Sequence, residues 1–257
     1  MTILKLDHRG NAQDILNEML SQIEQHGTDT TELDISYNLL GKKKLSFLST
    51  SLQQLSELKV LNIAGNGLSS EDISVIVNVL KSLPKLEKLD ISDNHNLDAS
   101  FIKICQCLAE KNSFQSLVAT RNSLVNIKPI ATLISQNPNL EKIDISDNSI
   151  RYGFDELATQ LVRPESSVRM LDIRNNIRTQ DKLYPLSIKF LSAIIENSQQ
   201  LKEFDIRGSV KHRDAEKIIL KGNPCQLDVL YDAITTQDTK KGEITAHNNE
   251  NNISLKL

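Results

Sequence analysis

The chain has 257 residues, with 30 Lys+Arg against 33 Asp+Glu and a formal net charge of −3. That balance sets aside a binder of nucleic-acid backbones, and 39% hydrophobic with 25% charged residues describes an ordinary soluble protein rather than a disordered one. No apolar run reaches the roughly 18–20 residues of a membrane span, and aromatics stop at 4% with no Trp, so the core must be aliphatic.

In chain order, the opening MTILKLDHRGN has neither an apolar h-region nor a small-residue cleavage site, so no secretory signal is expected. Leu4 and Leu6 alternate as in a short strand, and Ile15, Leu16, Met19, Leu20 and Ile23 follow at helical spacing behind Asn11 and Asp14, a capping-box variant. The strand pattern returns at Thr31-Glu-Leu33-Asp-Ile35-Ser-Tyr-Asn38. It returns again at Leu58-Lys-Val-Leu61-Asn-Ile63-Ala-Gly-Asn66-Gly-Leu68. Ser70 is then the expected N-cap of a helix carrying Ile73, Ile76, Leu80 and Leu83. Leu86 to Asn94 repeats the strand signature, before a helical stripe of Phe101, Ile104, Cys105 and Leu108. Phe114 to Leu124 repeats it with conservative core swaps, before Ile127, Ile130, Leu133 and Ile134. Leu140 to Ile150 follows, then Phe154, Leu157 and Leu161. Weaker copies begin at Val168 and Leu201, with Ser209 where the others have Asn, and a truncated one begins at Ala215.

The pattern LxxLxLxxNxL, with copies starting at 1, 30, 58, 86, 114, 140, 168 and 201, resembles the leucine-rich-repeat family. Steps near 28 resemble its ribonuclease-inhibitor branch. The resemblance implies an α/β solenoid or horseshoe, with a parallel β-sheet on the concave face and α-helices on the convex face. It covers residues 1–235 in about eight repeats, closed by a capping helix near 226–235 that carries Leu227, Leu230, Tyr231 and Ile234. Residues 236–257 are polar and Asn-rich and are expected to be disordered. Asn38, Asn66, Asn94, Asn122, Asn148 and Asn176 are expected to bond the turn backbone as a stacked ladder.

Several motifs resemble catalytic ones without their company. His212-Arg-Asp214 lacks a phosphate loop, and the two Ser-Asp-Asn triplets fall in repeat register. Cys105 and Cys107 lack further zinc ligands, and three cysteines make no disulfide framework, which favours a reducing, cytoplasmic setting. No nucleophile–base pair is legible. No enzyme, cofactor or metal site is expected.

What remains is the strand face. Position 5 of the copies reads Lys5, Asp34, Asn62, Asp90, Val118, Asp144, Asp172 and Asp205. Tyr37, Asp93, Arg121 and Asp147 occupy position 8, Arg174 and Arg207 position 7, and Lys88, Lys142 and Met170 position 3. Tyr37, Lys88, Asp90, Asp93, Arg121, Lys142, Asp144, Asp147, Met170, Asp172, Arg174, Asp205 and Arg207 are therefore the expected partner-binding residues. Carboxylates would meet basic groups, and arginines would meet acidic ones. The resemblance implies a non-enzymatic module, monomeric on its own, that binds a folded protein through the concave face, with no nucleic acid or membrane involved. It extends to occlusion of an enzyme's active site. The polar tail resembles those of small leucine-rich-repeat effectors that intracellular bacteria inject through type IV secretion. The partner would then be a host protein or another effector, met in the host cytosol. The alternative is a regulator of a small GTPase, similar to the leucine-rich-repeat activating protein of Ran.

Overall fold

The computed structural model describes residues 2–5, 12–94, 97–176, 193–194, 197–198, 200–205, 243–247 and 252–256. They belong to two compact units, Met1–Leu124 and Val125–Leu257.

In the first unit, strands and helices alternate as β1 (Thr2–Lys5), α1 (Ala12–His26), β2 (Thr30–Asp34), α2 (Gly41–Leu52), β3 (Val60–Asn62), α3 (Ile73–Lys81), β4 (Lys88–Asp90), α4 (Asp98–Ala109) and β5 (Ser116–Val118). The strands pair in parallel, neighbour to neighbour, with Leu33, Leu61, Leu89 and Leu117 in register. Parallel partners need a crossover, and each helix supplies one. The leucines face the helices and are buried with Ile35, Ile63 and Ile91, while the residues between them face the other way. Adjacent helices α1–α2, α2–α3 and α3–α4 pack side by side. Leu45, Leu48 and Leu52 of α2 are as buried as Ile76 and Leu80 of α3 or Phe101, Ile104 and Leu108 of α4. Each such side chain contributes about 1.5–3 kcal/mol of burial free energy. The thiols of Cys105 and Cys107 are free and buried, and burial pushes both up from their ordinary range.

The start of α3 differs from the sequence expectation. Ser69, not Ser70, caps the preceding 3-10 turn: its Oγ accepts from Glu71 N at 3.3 Å, and Asp72 Oδ2 accepts from Ser69 N at 2.7 Å. The reciprocal box needs the acid three residues after the cap, and Asp72 stands three after Ser69.

The asparagine ladder forms as the repeat implies. Asn94 Oδ1 accepts from Asn66 N at 3.1 Å and Leu68 N at 3.0 Å, while its Nδ2 donates to the carbonyls of Ile63, Ile91 and Ser92. Asn66 Oδ1 does the same for Asn38 N, and Asn122 Oδ1 for Asn94 N. One amide thus satisfies buried turn groups of its own repeat and of the one before it.

The second unit carries α5 (Lys128–Gln136), β6 (Lys142–Asp144), α6 (Phe154–Leu161), β7 (Met170–Asp172), β8 (Glu203–Asp205), β9 (Glu243–His247) and β10 (Asn252–Lys256). Ile143 and Leu171 stand in register on β6 and β7, as do Leu171 and Phe204 on β7 and β8. Asn176 Nδ2 donates to Ile145, Ile173 and Arg174 carbonyls, and its Oδ1 accepts from Ile150 N at 3.4 Å. Asn148 donates likewise to Ile145 and Ser146.

Two stretches of the segment expected to be disordered are strands. β9 and β10 form an antiparallel hairpin, and β10 pairs in parallel with β8. Ile244 and Ala246, then Ile253 and Leu255, alternate with polar residues at strand period on either side of an Asn-rich stretch, a local signal that the polar composition masks. The expected capping helix near 226–235, Ser209 and the copy at Ala215 lie outside the described residues. Among the described residues no helix is long and apolar enough to cross a membrane.

Candidate functional site

The expected site residues gather in two clusters, one in each unit. In the first, the chain leaves each strand through a turn whose position-8 residue is left-handed: Tyr37, Gly65, Asp93 and Arg121 have φ of 56°, 63°, 54° and 51°. The turn is held by the position-5 side chain. Asp34 Oδ1 accepts from Ser36 N and Oγ, Asn62 Oδ1 from Ala64 N, and Asp90 Oδ1 from Ser92 N, all at 2.7–3.0 Å. The acidic row therefore has a local structural role, an Asx bond in each turn.

Position 8 stacks side chains over one another. Tyr37 reaches across the repeat of Gly65 and donates its phenolic proton to Asp93 Oδ2 at 2.6 Å. Arg121 grips the same carboxylate from the other side, Nε on Oδ1 at 2.5 Å and a terminal nitrogen on Oδ2 at 2.7 Å. The Tyr37 ring lies so close to Gly65 that a Cβ there would stand 2.2 Å from it. The ring therefore requires a glycine here, where Tyr37, Asp93 and Arg121 carry side chains at a similar left-handed φ. Asp93 raises the Tyr37 phenol above its ordinary range through the hydrogen bond, and it likewise holds the Arg121 guanidinium above its own. Tyr37 is nonetheless 59% exposed, and Arg121 is exposed as well. Such a bidentate, laterally braced arginine presents its remaining donors in a fixed direction.

Beside this cluster, the residues of β1 to β5 line a shallow hollow of about 270 Å³ that takes in Glu32, Asp34, Lys88 and Asp90. Lys88 is exposed.

In the second unit Arg174 lies against two buried carboxylates. Its Nε and a terminal nitrogen bond Asp172 at 2.9 and 2.7 Å, and Nε stands 3.4 Å from Asp205 Oδ2. Asp172 and Asp205 are 6% and 7% exposed. Burial pushes the Asp172 carboxyl up, Arg174 opposes this, and Asp144 and Asp205 add to the rise. The guanidinium expected to meet a partner's acid is thus engaged within the chain. Asp147 accepts from Asn175 Nδ2 at 2.9 Å, Lys142 is exposed and Met170 half-buried. Arg207 lies outside the described residues.

Sequence reasoning passed over Glu32, Asp34 and Gly65 as site residues. Gly65, the glycine that interrupts position 8 between Tyr37 and Asp93, was the available signal for the bridge above it.

No family model matches the chain. Its structure is similar to the leucine-rich repeat-containing protein LegL7 from Legionella pneumophila, with a TM-score of 0.54 at 19% identity, covering 91% of this chain and 69% of that one. The fold is that of the leucine-rich-repeat proteins. A leucine-rich-repeat structure, the TLR13–ssRNA13 complex, aligns at a TM-score of 0.46 and 20% identity over 72% of this chain and 24% of that one. In sequence the chain is 26% identical over 172 residues to RAN GTPase-activating protein 2 of Arabidopsis thaliana. The match takes in 65% of the chain and spans 27% of that relative's length.

Proposed function

We propose that this chain is a non-enzymatic module that binds a folded protein partner through the open face of its strands. The observation that carries the reading is the Tyr37–Asp93–Arg121 bridge, in which an exposed aromatic and an exposed arginine are held rigid by one carboxylate. Tyr and Arg are the residues enriched where binding energy concentrates, and prior fixation lowers the entropy lost on docking. The leucine-rich-repeat fold supports a protein as the partner, and the net charge of −3 disfavours nucleic acid. In this reading the free chain is a cytoplasmic monomer that needs neither cofactor nor membrane. Lys142, Asp147 and Met170 are proposed contact residues of the second unit taken by itself, and Arg207, outside the described residues, is proposed from its place in the repeat alone.

The test is capture of the partner from lysate, followed by titration with the wild type and with Arg121→Glu. Weakened binding at an unchanged melting temperature is expected. Equal affinity would remove the bridge from the site.

A second reading, regulation of a small GTPase, is favoured by the match to RAN GTPase-activating protein 2. Its test is GTP hydrolysis by purified small GTPases with and without the chain; no change across the family would exclude it. Two finer forms of the first reading are inhibition of an enzyme by covering its active site and delivery into a host cell as a bacterial effector. The polar composition of 236–257 motivates the second of these. A fused translocation reporter tests delivery, and loss of the captured partner's activity on binding tests inhibition.

A further inference from the structure

Resting on the reading of the strand face as a protein-binding surface, we infer that the hollow over β1 to β5 is a subsite for one arginine or lysine side chain of the partner. Its volume of about 270 Å³ falls just below the range of roughly 300–1,000 Å³ typical of small-molecule pockets. It suits a single long side chain better than a metabolite.

The lining divides by chemistry. Ile3, Val60 and Val118 offer apolar surface at positions 3 and 5, and Ile3 is 49% exposed. A methylene stem can lie along such surface while its charged head stays at the polar end. At that end stand Asp34 of β2 and Asp90 of β4, on either side of Asn62 of β3. Strands about 4.8 Å apart set these two carboxylates roughly 10 Å from one another with Asn62 between them, so a cationic head lying over Asn62 has a negative group on either side. Each accepts through Oδ1 from its own turn, from Ser36 or Ser92, which holds the carboxylate in place at the polar end of the hollow. Among the described lining residues, Glu32 adds a third negative group against the one ammonium of Lys88. Among the described residues Lys88 makes no ion pair. It neutralises the hollow only in part, so a cationic guest is favoured over an anionic one.

The probe is N-acetyl-arginine methylamide, titrated into the full chain and followed by backbone amide shifts. Its controls are the norleucine and glutamate analogues, which keep the stem and remove or reverse the charge. Saturable, salt-sensitive shifts are expected at Val60, Asn62 and Asp90 with arginine and not with the controls. In the Asp34→Asn, Asp90→Asn double variant the arginine affinity should fall about tenfold or more. Asn62 already makes the same turn bond as an asparagine, so the variant keeps its Asx bonds; an unchanged melting curve checks the fold. No shift with arginine, equal shifts with norleucine, or unchanged affinity in the double variant would each overturn the inference. Partner binding lost in Arg121→Glu but kept in the double variant would overturn the subsite alone, leaving the protein-binding reading intact.

Discussion

Tyr37 donates to Asp93 across an entire intervening repeat, and Gly65 is the residue over which it passes. The two side chains are 56 positions apart in the chain yet share one column of left-handed turn residues. Because the carboxylate accepts the phenolic proton, Tyr37 titrates above its ordinary value of about 10. A raised pKa means that the folded chain keeps its proton at a pH where the unfolded chain loses it. The stability contributed is therefore complete below about pH 10 and is lost as pH rises through the folded value. Ultraviolet titration of the phenolate should find Tyr37 above its ordinary range, and Asp93→Asn should bring it down.

Gly65→Ala should break the same bridge from below. Its added Cβ would stand 2.2 Å from the Tyr37 ring, and its φ of 63° disfavours any side chain. A left-handed alanine costs about 1–2 kcal/mol, and displacement of Tyr37 adds to it. Chemical denaturation should show that loss, and the raised Tyr37 titration should vanish with it. The double variant Gly65→Ala, Tyr37→Ala should recover the steric part of the loss and leave the backbone part.

Asn94→Ala should cost more than an ordinary surface change. It removes the acceptor for Asn66 N and Leu68 N and the donor to three carbonyls in a fully buried turn. Each buried group left unsatisfied costs about 1–3 kcal/mol. The expected outcome is a clear fall in the urea midpoint, with hydrogen exchange fastest at Asn66 and Leu68. Asn94→Asp is the informative companion, since it keeps the acceptor and loses the donor.

The fold was legible in the sequence because its signals are periodic. Leu33, Leu61 and Leu89 recur at the same position, and their register in the sheet follows from that. Asn66 and Asn94 were readable as structural because nothing else explains an amide at a fixed place in a buried turn. Helix α2 was passed over, since GKKKLSFLSTSL spaces Leu45, Leu48 and Leu52 correctly but begins on glycine and three lysines with no capping signal. The hairpin at the C-terminal end was missed because polar composition was weighed above alternation. Site geometry was less legible. Sequence spacing shows that Tyr37, Asp93 and Arg121 share a column; it does not show that a glycine between them lets the tyrosine reach over. Nor does it show that Arg174 turns back onto Asp172, an outcome decided by the desolvation of two aspartates.

That desolvation makes Arg174 a stability residue with a pH signature. Burial pushes the Asp172 carboxyl up, with Arg174 pulling it back and Asp144 and Asp205 adding to the rise. A carboxyl raised on folding contributes stability that is complete in acid and is lost as pH rises through the folded value. Arg174→Met removes the opposing cation and widens that window. The variant should lose about 1–3 kcal/mol at neutral pH, and the loss should shrink as acid protonates Asp172. Urea denaturation at about pH 7 and about pH 4 separates the two cases.

The last prediction concerns β10. It pairs with β8 through Ser254 against Glu203, Leu255 against Phe204 and Lys256 against Asp205, and β9 covers its other side. Removing residues 236–257 strips β8 of that partner and leaves a row of unpaired backbone groups at a sheet edge, which invites pairing with another chain. The truncated protein should melt lower and self-associate, seen as a concentration-dependent mass in light scattering. Faster exchange at the amides of β8 should accompany it. Leu255→Pro in the full chain should reproduce the effect with composition almost unchanged, because proline removes a ladder donor and fits poorly between two paired strands. If both variants remain monomeric and as stable as the parent, the hairpin contributes nothing to the sheet, and the segment's role lies in its composition alone. If both destabilise, any loss of secretion on truncation must be judged against loss of folding, and Leu255→Pro with its intact polar residues is the control that separates them.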